Sequence, residues 1–306
     1  MALRQVLKPV GFEPRTVIPA FIEEYEYGPS RKTVAFHRDN LLQNLLPYLA
    51  AAGVGDVAEI TPEIMRRFLV EQASRGLKPW TLSGRFYSAL RFFNWCIEQG
   101  YIDANPMARL KRPKTPDRAK NAFNRKEIGR LMTVLAAKPG WVGTRDRAIV
   151  AVLLGTGARA SELAGMELRD IDWARRRILL HGKGSKDRRV PMGAQTVKAL
   201  RDYIRVRPVV STERVWVTHR RTPMEYSAAE MMVRHLGEYA DVTPCHLHRF
   251  RHTFATEFYN RNRDILALKG ILGHTSVEMT MRYLASLGID YHEAGKFASP
   301  DEWLVQ

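Results

Sequence analysis

From Arg175 to Met192 the chain reads R-R-R-I-L-L-H-G-K-G-S-K-D-R-R-V-P-M. A short β-branched and aliphatic run, Ile178 to Leu180, is followed by a glycine-rich polar turn and a second run around Val190. That order of apolar run, tight turn and apolar run predicts a β-hairpin. On both sides the apolar residues recur at three- and four-residue spacing, which is the period of helices with one buried face. The fold class is therefore mainly α with a small β-sheet.

Towards the N-terminus, four helices are expected over about residues 16–27, 31–52, 61–75 and 80–99. Thr61 and Pro62 form an N-cap and first-turn pair, and Gly76 and Gly100 act as stops. No strand pattern interrupts them, so residues 1–108 read as an all-helical domain. Between Arg109 and Lys120 stand two prolines, six Lys/Arg and one acid, with almost nothing to bury. This is the composition of an extended basic linker, assigned to 109–120. A second domain, 121–306, opens on a capping box, Asn124 with Glu127. After the hairpin, helices are expected over about 194–206, 226–239, 246–260, 263–272 and 276–287, the last preceded by Thr275 and Glu278 as a capping pair. The tail from Asp290 carries Phe297, Trp303 and Leu304 as isolated apolar points, suited to docking on its own body or on a neighbour.

Composition narrows the function. Of 306 residues, 45% are hydrophobic and 26% charged, which suits a globular chain with two modest cores and excludes disordered, collagen-like and disulfide-scaffold classes. Lys and Arg number 48 against 32 Asp and Glu, a formal net charge of +16, so a polyanionic partner is expected. No run is long and apolar enough to span a bilayer, and the N-terminus has no signal-peptide pattern, so a cytoplasmic location is expected. Cys96 and Cys245 lack metal-site spacing and read as buried small apolar residues.

Separated pieces of the second domain hold an unusual set of side chains. They are Arg159 in T-G-A-R-A-S-E-L, Lys183 in the hairpin turn, His248 and Arg251 in H-R-F-R-H-T-F-A-T, and His274 and Tyr283 in L-G-H-T-S-V-E-M-T-M-R-Y. In order and spacing this set resembles the active site of the tyrosine recombinase (phage integrase) family. The resemblance covers the whole second domain, and the helical unit before it is similar to that family's core-binding domain. Phe250 stands where the family more often has leucine.

The resemblance implies a phosphodiester exchange without metal or other cofactor, and the residue types suit it. Attack on the phosphate builds negative charge that fixed cations must meet. Arg159 and Arg251 can each give two parallel hydrogen bonds to phosphoryl oxygens. His248 and His274 can hydrogen-bond the nonbridging oxygens, and one of them can take the nucleophile's proton. Tyr283 would be the nucleophile, weak at a phenol pKa of about 10 but easier to ionise beside several cations. Lys183 would protonate the departing 5′-oxygen, and Glu162, one turn after Arg159, would orient the cluster. H-L-H-R-F-R-H contains two overlapping matches, His246 with Arg249 and His248 with Arg251; the second is preferred because the family's arginine is followed directly by His and a T-F-A-T-like run. Lys183 competes in the same way with Lys186, and its G-K-G setting favours it.

Double-stranded DNA is the implied partner. In the fourth helix, Thr81, Arg85 and Ser88 share one face while Phe86, Leu90 and Phe93 share another, which makes Thr81 and Arg85 groove-contact candidates. Phe92, Phe93 and Trp95 read as core. Arg175 to Arg177, Arg188, Arg189, Arg220 and Arg221 read either as a solvated face or as phosphate contacts; net charge tips the choice towards DNA, with Lys186 and Arg188 as hairpin contacts. The resemblance further implies a two-domain clamp, strand exchange through a 3′-phosphotyrosyl bond, a homotetramer on two paired sites, a C-terminal segment passed to the neighbouring subunit, and accessory proteins in some systems. About 15 residues before the first expected helix leave no room for an additional arm-binding domain. Dimer resolution and integration or excision of a mobile element are both compatible, with a slight lean to the second. The rivals are a DNA-binding protein with a decayed recombinase site and a metal-dependent nuclease, for which the acids show no ligand cluster.

Overall fold

The computed structural model describes residues 11–26, 31–115, 122–182 and 187–289. Lys183, Lys186, the end of the basic segment and the tail from Asp290 lie outside the described residues. The chain divides into two compact units, Met1–Asp117 and Arg118–Gln306.

Among its described residues the first unit has helices and no strand: α1 (Pro14–Glu26), α2 (Arg31–Asn40), α3 (Leu46–Ala51), α4 (Pro62–Ser74) and α5 (Pro79–Glu98). The second expected helix is broken by one π-helical stretch, Leu41–Leu45, that joins α2 to α3 without leaving the helical path. The hydroxyl of Thr61 accepts from the Ile64 amide and Pro62 occupies the first turn, as the sequence suggests. Phe21, Leu45, Phe68, Phe92 and Phe93 fill the core. Ser88 departs from its expected face: it is fully buried, and its hydroxyl meets His37 Nδ1 at 3.0 Å and accepts from Asn40 Nδ2 at 3.0 Å.

The second unit contains α6 (Arg125–Ala137), α7 (Gly140–Thr156) and α8 (Ala160–Gly165), then β1 (Ile171–Asp172), β2 (Arg177–Leu180) and β3 (Arg188–Pro191). The hairpin pairs Ile178 with Val190 and Leu180 with Arg188, and β1 adds an antiparallel edge too short to show as a period in the sequence. The Asn124–Glu127 capping box is formed. There follow α9 (Ala194–Val206), α10 (Tyr226–Tyr239), α11 (Leu247–Asn262), α12 (Ile265–Leu272) and α13 (Val277–Ala285). Ser276, not Thr275, caps α13, accepting from the Met279 amide. The main core, with Trp216, Tyr203, Phe250 and Leu153, lies around α7, which packs on α9 and α11. A smaller cluster, Ala255, Tyr259, Leu268, Leu272 and Leu284, ties α11, α12 and α13 together, and Tyr283 packs partly against it.

Candidate active site

The C-terminal ends of α7 and α12 converge on Arg251. Helix α7 stops at Gly157, whose left-handed backbone (φ +62°) turns the chain sharply, and a Cβ at this position would lie 2.4 Å from the ring of Phe254. The turn leaves the Gly157 carbonyl accepting from Arg251 Nη1 at 2.7 Å. Helix α12 ends at Gly273, also left-handed (φ +65°), and its last carbonyls face the same guanidinium cluster. Arg251 Nη2 donates to Leu272 O at 2.8 Å, Arg159 Nη2 to Gly273 O at 3.4 Å, and Arg188 Nε to Ile271 O. Three arginines thus rest on three successive carbonyls at the negative end of one helix.

Glu162 joins two of them. Its carboxylate is 2% exposed and accepts from the Arg159 amide at 2.6 Å, from Arg159 Nη1 at 2.8 Å, and from Arg188 Nη1 and Nη2 at 2.7 and 2.9 Å. Burial alone would raise its pKa; the hydrogen bonds and charges of Arg188 and Arg159 outweigh burial and hold it down at about 2. Arg188 is therefore not a free DNA contact. Its side chain is 9% exposed, and its guanidinium is committed to Glu162 and α12. The sequence could not show this, because Glu162 lies 26 positions away.

Arg251 is 2% exposed, and burial, followed by the charge of Arg159, lowers its pKa to about 10. It remains a cation at neutral pH. Its Nη2 also donates to His274 Nε2 at 3.3 Å, while His274 Nδ1 lies 3.0 Å from Thr280 Oγ1. Burial and the charges of Arg251, Arg159 and Arg188 push the His274 imidazole down to about 4, so it is neutral and accepts from Arg251. The competing pair separates cleanly: His246 caps α11 by accepting the Arg249 amide, and Arg249 is buried against Glu127 at 2.8 Å. Both work in the scaffold.

Tyr283 lies on α13, with its ring edge-on to His274 at 5.5 Å between centroids. Cations were expected to ease its ionisation. Burial wins instead, raising the phenol to about 12 against the opposing pull of Arg251 and then Arg159. His252, not singled out as a site residue, places Nδ1 2.7 Å from the Tyr283 hydroxyl. The clue was its spacing: one helical turn after His248, it shares that residue's face, and the two rings meet edge to face at 4.5 Å. His248 itself is exposed. At the hairpin base, His181 bridges Asp187 (2.8 Å) and the buried Asp170 (3.1 Å), and these two carboxylates raise its pKa.

The profile of the Phage integrase family matches residues 121–288, more than half of the chain. The chain belongs to the phage integrase family. This integrase-family chain is 29% identical over 276 residues to the tyrosine recombinase XerC of Oceanobacillus iheyensis, covering 87% of this chain and 90% of that protein. It is 30% identical over 253 residues to XerC of Xanthomonas campestris, covering 81% and 76% respectively. Its fold matches the transposon Tn1549 integrase in complex with a circular intermediate DNA (TM-score 0.70, 20% identity, 89% and 94% covered). It also matches a lambda integrase dimer bound to a core site (TM-score 0.72, 16% identity, 92% and 98% covered). The family member described here is a site-specific tyrosine recombinase of Xer-like type.

Proposed function

We propose that this recombinase cuts duplex DNA with Tyr283 as the nucleophile, joining it to the 3′-phosphate and releasing a 5′-hydroxyl. The observation that carries this reading is the convergence of Arg159, Arg251 and His274 around the phenol of Tyr283. Arg159 and Arg251 hold the nonbridging oxygens as charge builds on them, and their placement before substrate arrives removes the cost of reorganising them during the reaction. His248, exposed at the start of α11, adds a further donor to the phosphate. Lys183 is assigned the proton that the 5′-oxygen needs, and Glu162 orients Arg159. The phosphotyrosyl bond conserves the energy of the cleaved linkage, so attack by the 5′-hydroxyl of another strand completes exchange without a nucleotide cofactor.

The helical first unit, through Thr81 and Arg85, the basic segment after it, and Lys186 in the hairpin turn of the second unit are proposed to contact the duplex. Arg85 supports this reading: Nε and Nη1 are buried with no hydrogen-bond partner, a state a DNA phosphate or base edge would relieve. A homotetramer on two paired sites with the C-terminal segment exchanged, action on a mobile element, and a cytoplasmic, nucleoid-associated location complete the reading. Among the described residues no helix is long and apolar enough to cross a membrane.

The test needs no knowledge of the target site. DNA that stays attached to denatured protein is recovered from cells carrying the native locus, for wild type and Tyr283→Phe, and its ends are sequenced. The expected result is adducts at one short, partly palindromic site with wild type alone. Adducts that persist in Tyr283→Phe, or wild-type protein that binds DNA without forming any, would overturn the assignment.

A further inference from the structure

We infer that His252 is the general base that takes the proton from Tyr283. The inference rests on Tyr283 being the nucleophile and assigns a residue that the motif comparison passes over.

Four observations support it. His252 is 3% exposed, and its Nδ1 lies 2.7 Å from the phenol oxygen, a good distance for a proton to cross. Arg251, whose charge pulls the phenol pKa down, cannot take the proton, because a guanidinium only donates. His274 is unsuited to the task. One of its nitrogens accepts from Arg251 and the other faces Thr280. Finally, burial holds the phenol near 12, so at neutral pH the nucleophile carries its proton and needs a base in contact with it.

The step balances as follows. The Tyr283 O–H bond breaks and its proton passes to His252 Nδ1. The phenol oxygen forms the new bond to phosphorus as the bond from phosphorus to the 5′-oxygen breaks, and that oxygen takes a proton from the general acid assigned to Lys183. On rejoining, the imidazolium returns its proton to the departing phenolate. This requires resting His252 to carry its hydrogen on Nε2. Exposed His248, whose ring abuts His252 at 4.5 Å, lies on the same helix face. The titratable and charged groups around the pair are Tyr283 on α13, His248 and Arg251 on α11, and, beyond the phenol, Arg159 before α8 and His274 before α13.

The test uses the full chain and a nicked duplex built on the sequence recovered with the wild-type adduct. If wild type forms no adduct, or Tyr283→Phe still does, the nucleophile assignment has failed, and with it this one. Given the wild-type adduct, single-turnover cleavage is followed from pH 5.5 to 9.5 for wild type and His252→Asn. The asparagine amide keeps an acceptor near the phenol but cannot take a proton. The expected loss at pH 7 is about 10²–10⁴-fold. The wild-type rate should rise and level off as His252 titrates, while the variant's rate climbs tenfold per pH unit without a plateau. A variant within about threefold of wild type, with an unchanged profile, would overturn the proposal, since a general base normally contributes at least about 10²-fold. If His252→Asn fails to fold, the wild-type protein decides. Long-range ¹⁵N–¹H spectra should show His252 Nδ1 unprotonated, with a shift that moves in Tyr283→Phe, and a protonated Nδ1 would overturn the assignment.

Discussion

Replacing Glu162 with glutamine is the most informative single perturbation of the scaffold. The carboxylate is 2% exposed and receives four hydrogen bonds, three from the Arg159 and Arg188 guanidiniums and one from the Arg159 amide. Its pKa falls from an ordinary 4.5 to about 2. At about 1.4 kcal/mol for each tenfold change in proton affinity, this corresponds to about 3 kcal/mol in favour of the folded state. The figure agrees with the cost of about 3–5 kcal/mol for removing one partner of a buried ion pair. Because the folded-state pKa is depressed, the stabilisation is complete above the ordinary carboxylate value and disappears as pH falls towards the folded value of about 2. Urea unfolding of the full chain should therefore show Glu162→Gln about 3 kcal/mol less stable at pH 7, with a melting temperature roughly 6–12 °C lower. The gap should shrink by more than half at pH 3. A gap below about 1 kcal/mol at pH 7, the range of an exposed pair, would refute the claim that Glu162 holds the two arginines. So would a gap that stays constant with pH.

Other outcomes follow from the same geometry. Arg188→Ala should lose about 3–5 kcal/mol of stability and much of its cleavage rate, with the salt dependence of DNA binding unchanged. A salt slope reduced by about one at unchanged stability would return Arg188 to the role of a phosphate contact. Arg85→Ala should do the reverse, weakening DNA binding and lowering the salt slope by about one without reducing the urea midpoint, because its Nε and Nη1 have no acceptor to lose. Gly157→Ala should cost about 1–3 kcal/mol in thermal unfolding, since its Cβ would lie 2.4 Å from Phe254 on a left-handed backbone; an unchanged melting curve would refute the close approach.

What could be read in the sequence was what is local. The caps at Thr61 and Asn124, the hairpin and the helices around it all depend on side chains within four residues of the backbone they satisfy. Errors arose where distant groups decide. Arg188 reads as one more hairpin cation until folding brings Glu162 to it, and Ser88 reads as sharing the face of Thr81 and Arg85 until α2 covers it with His37 and Asn40. The phenol of Tyr283 was expected to ionise more easily because its neighbours are cations. The water lost on burial has the larger effect, and residue types alone do not show it. Thr275 and Ser276 differ in another way: two adjacent hydroxyls can both cap, and only the backbone turn selects Ser276.

The end of α12 accounts for how three guanidiniums can stand so close together. Arg188, Arg251 and Arg159 donate to the carbonyls of Ile271, Leu272 and Gly273 in turn. A helix C-terminus carries partial negative charge and unpaired carbonyls, so it offsets part of their mutual repulsion while fixing the planes of their guanidiniums. This explains why L-G-H is one device rather than three residues. Leucine 272 anchors the helix end in the small core, Gly273 adopts φ +65° with Arg188 packed 3.1 Å from where a Cβ would stand, and His274 follows directly, placed to accept from Arg251. It also makes the two clamp arginines unequal. Arg251 is 2% exposed and already gives hydrogen bonds to Gly157, Leu272 and His274, whereas the Arg159 side chain is 38% exposed. A guanidinium has five donors in a rigid plane, so Arg251 can be held by three partners and still present N–H groups to the phenol and a phosphate, which the three donors of a lysine could not do. On the proposed mechanism, Arg159 would then be the arginine an incoming phosphate meets first, and Arg251 the fixed reference for aligning the phosphorus with Tyr283.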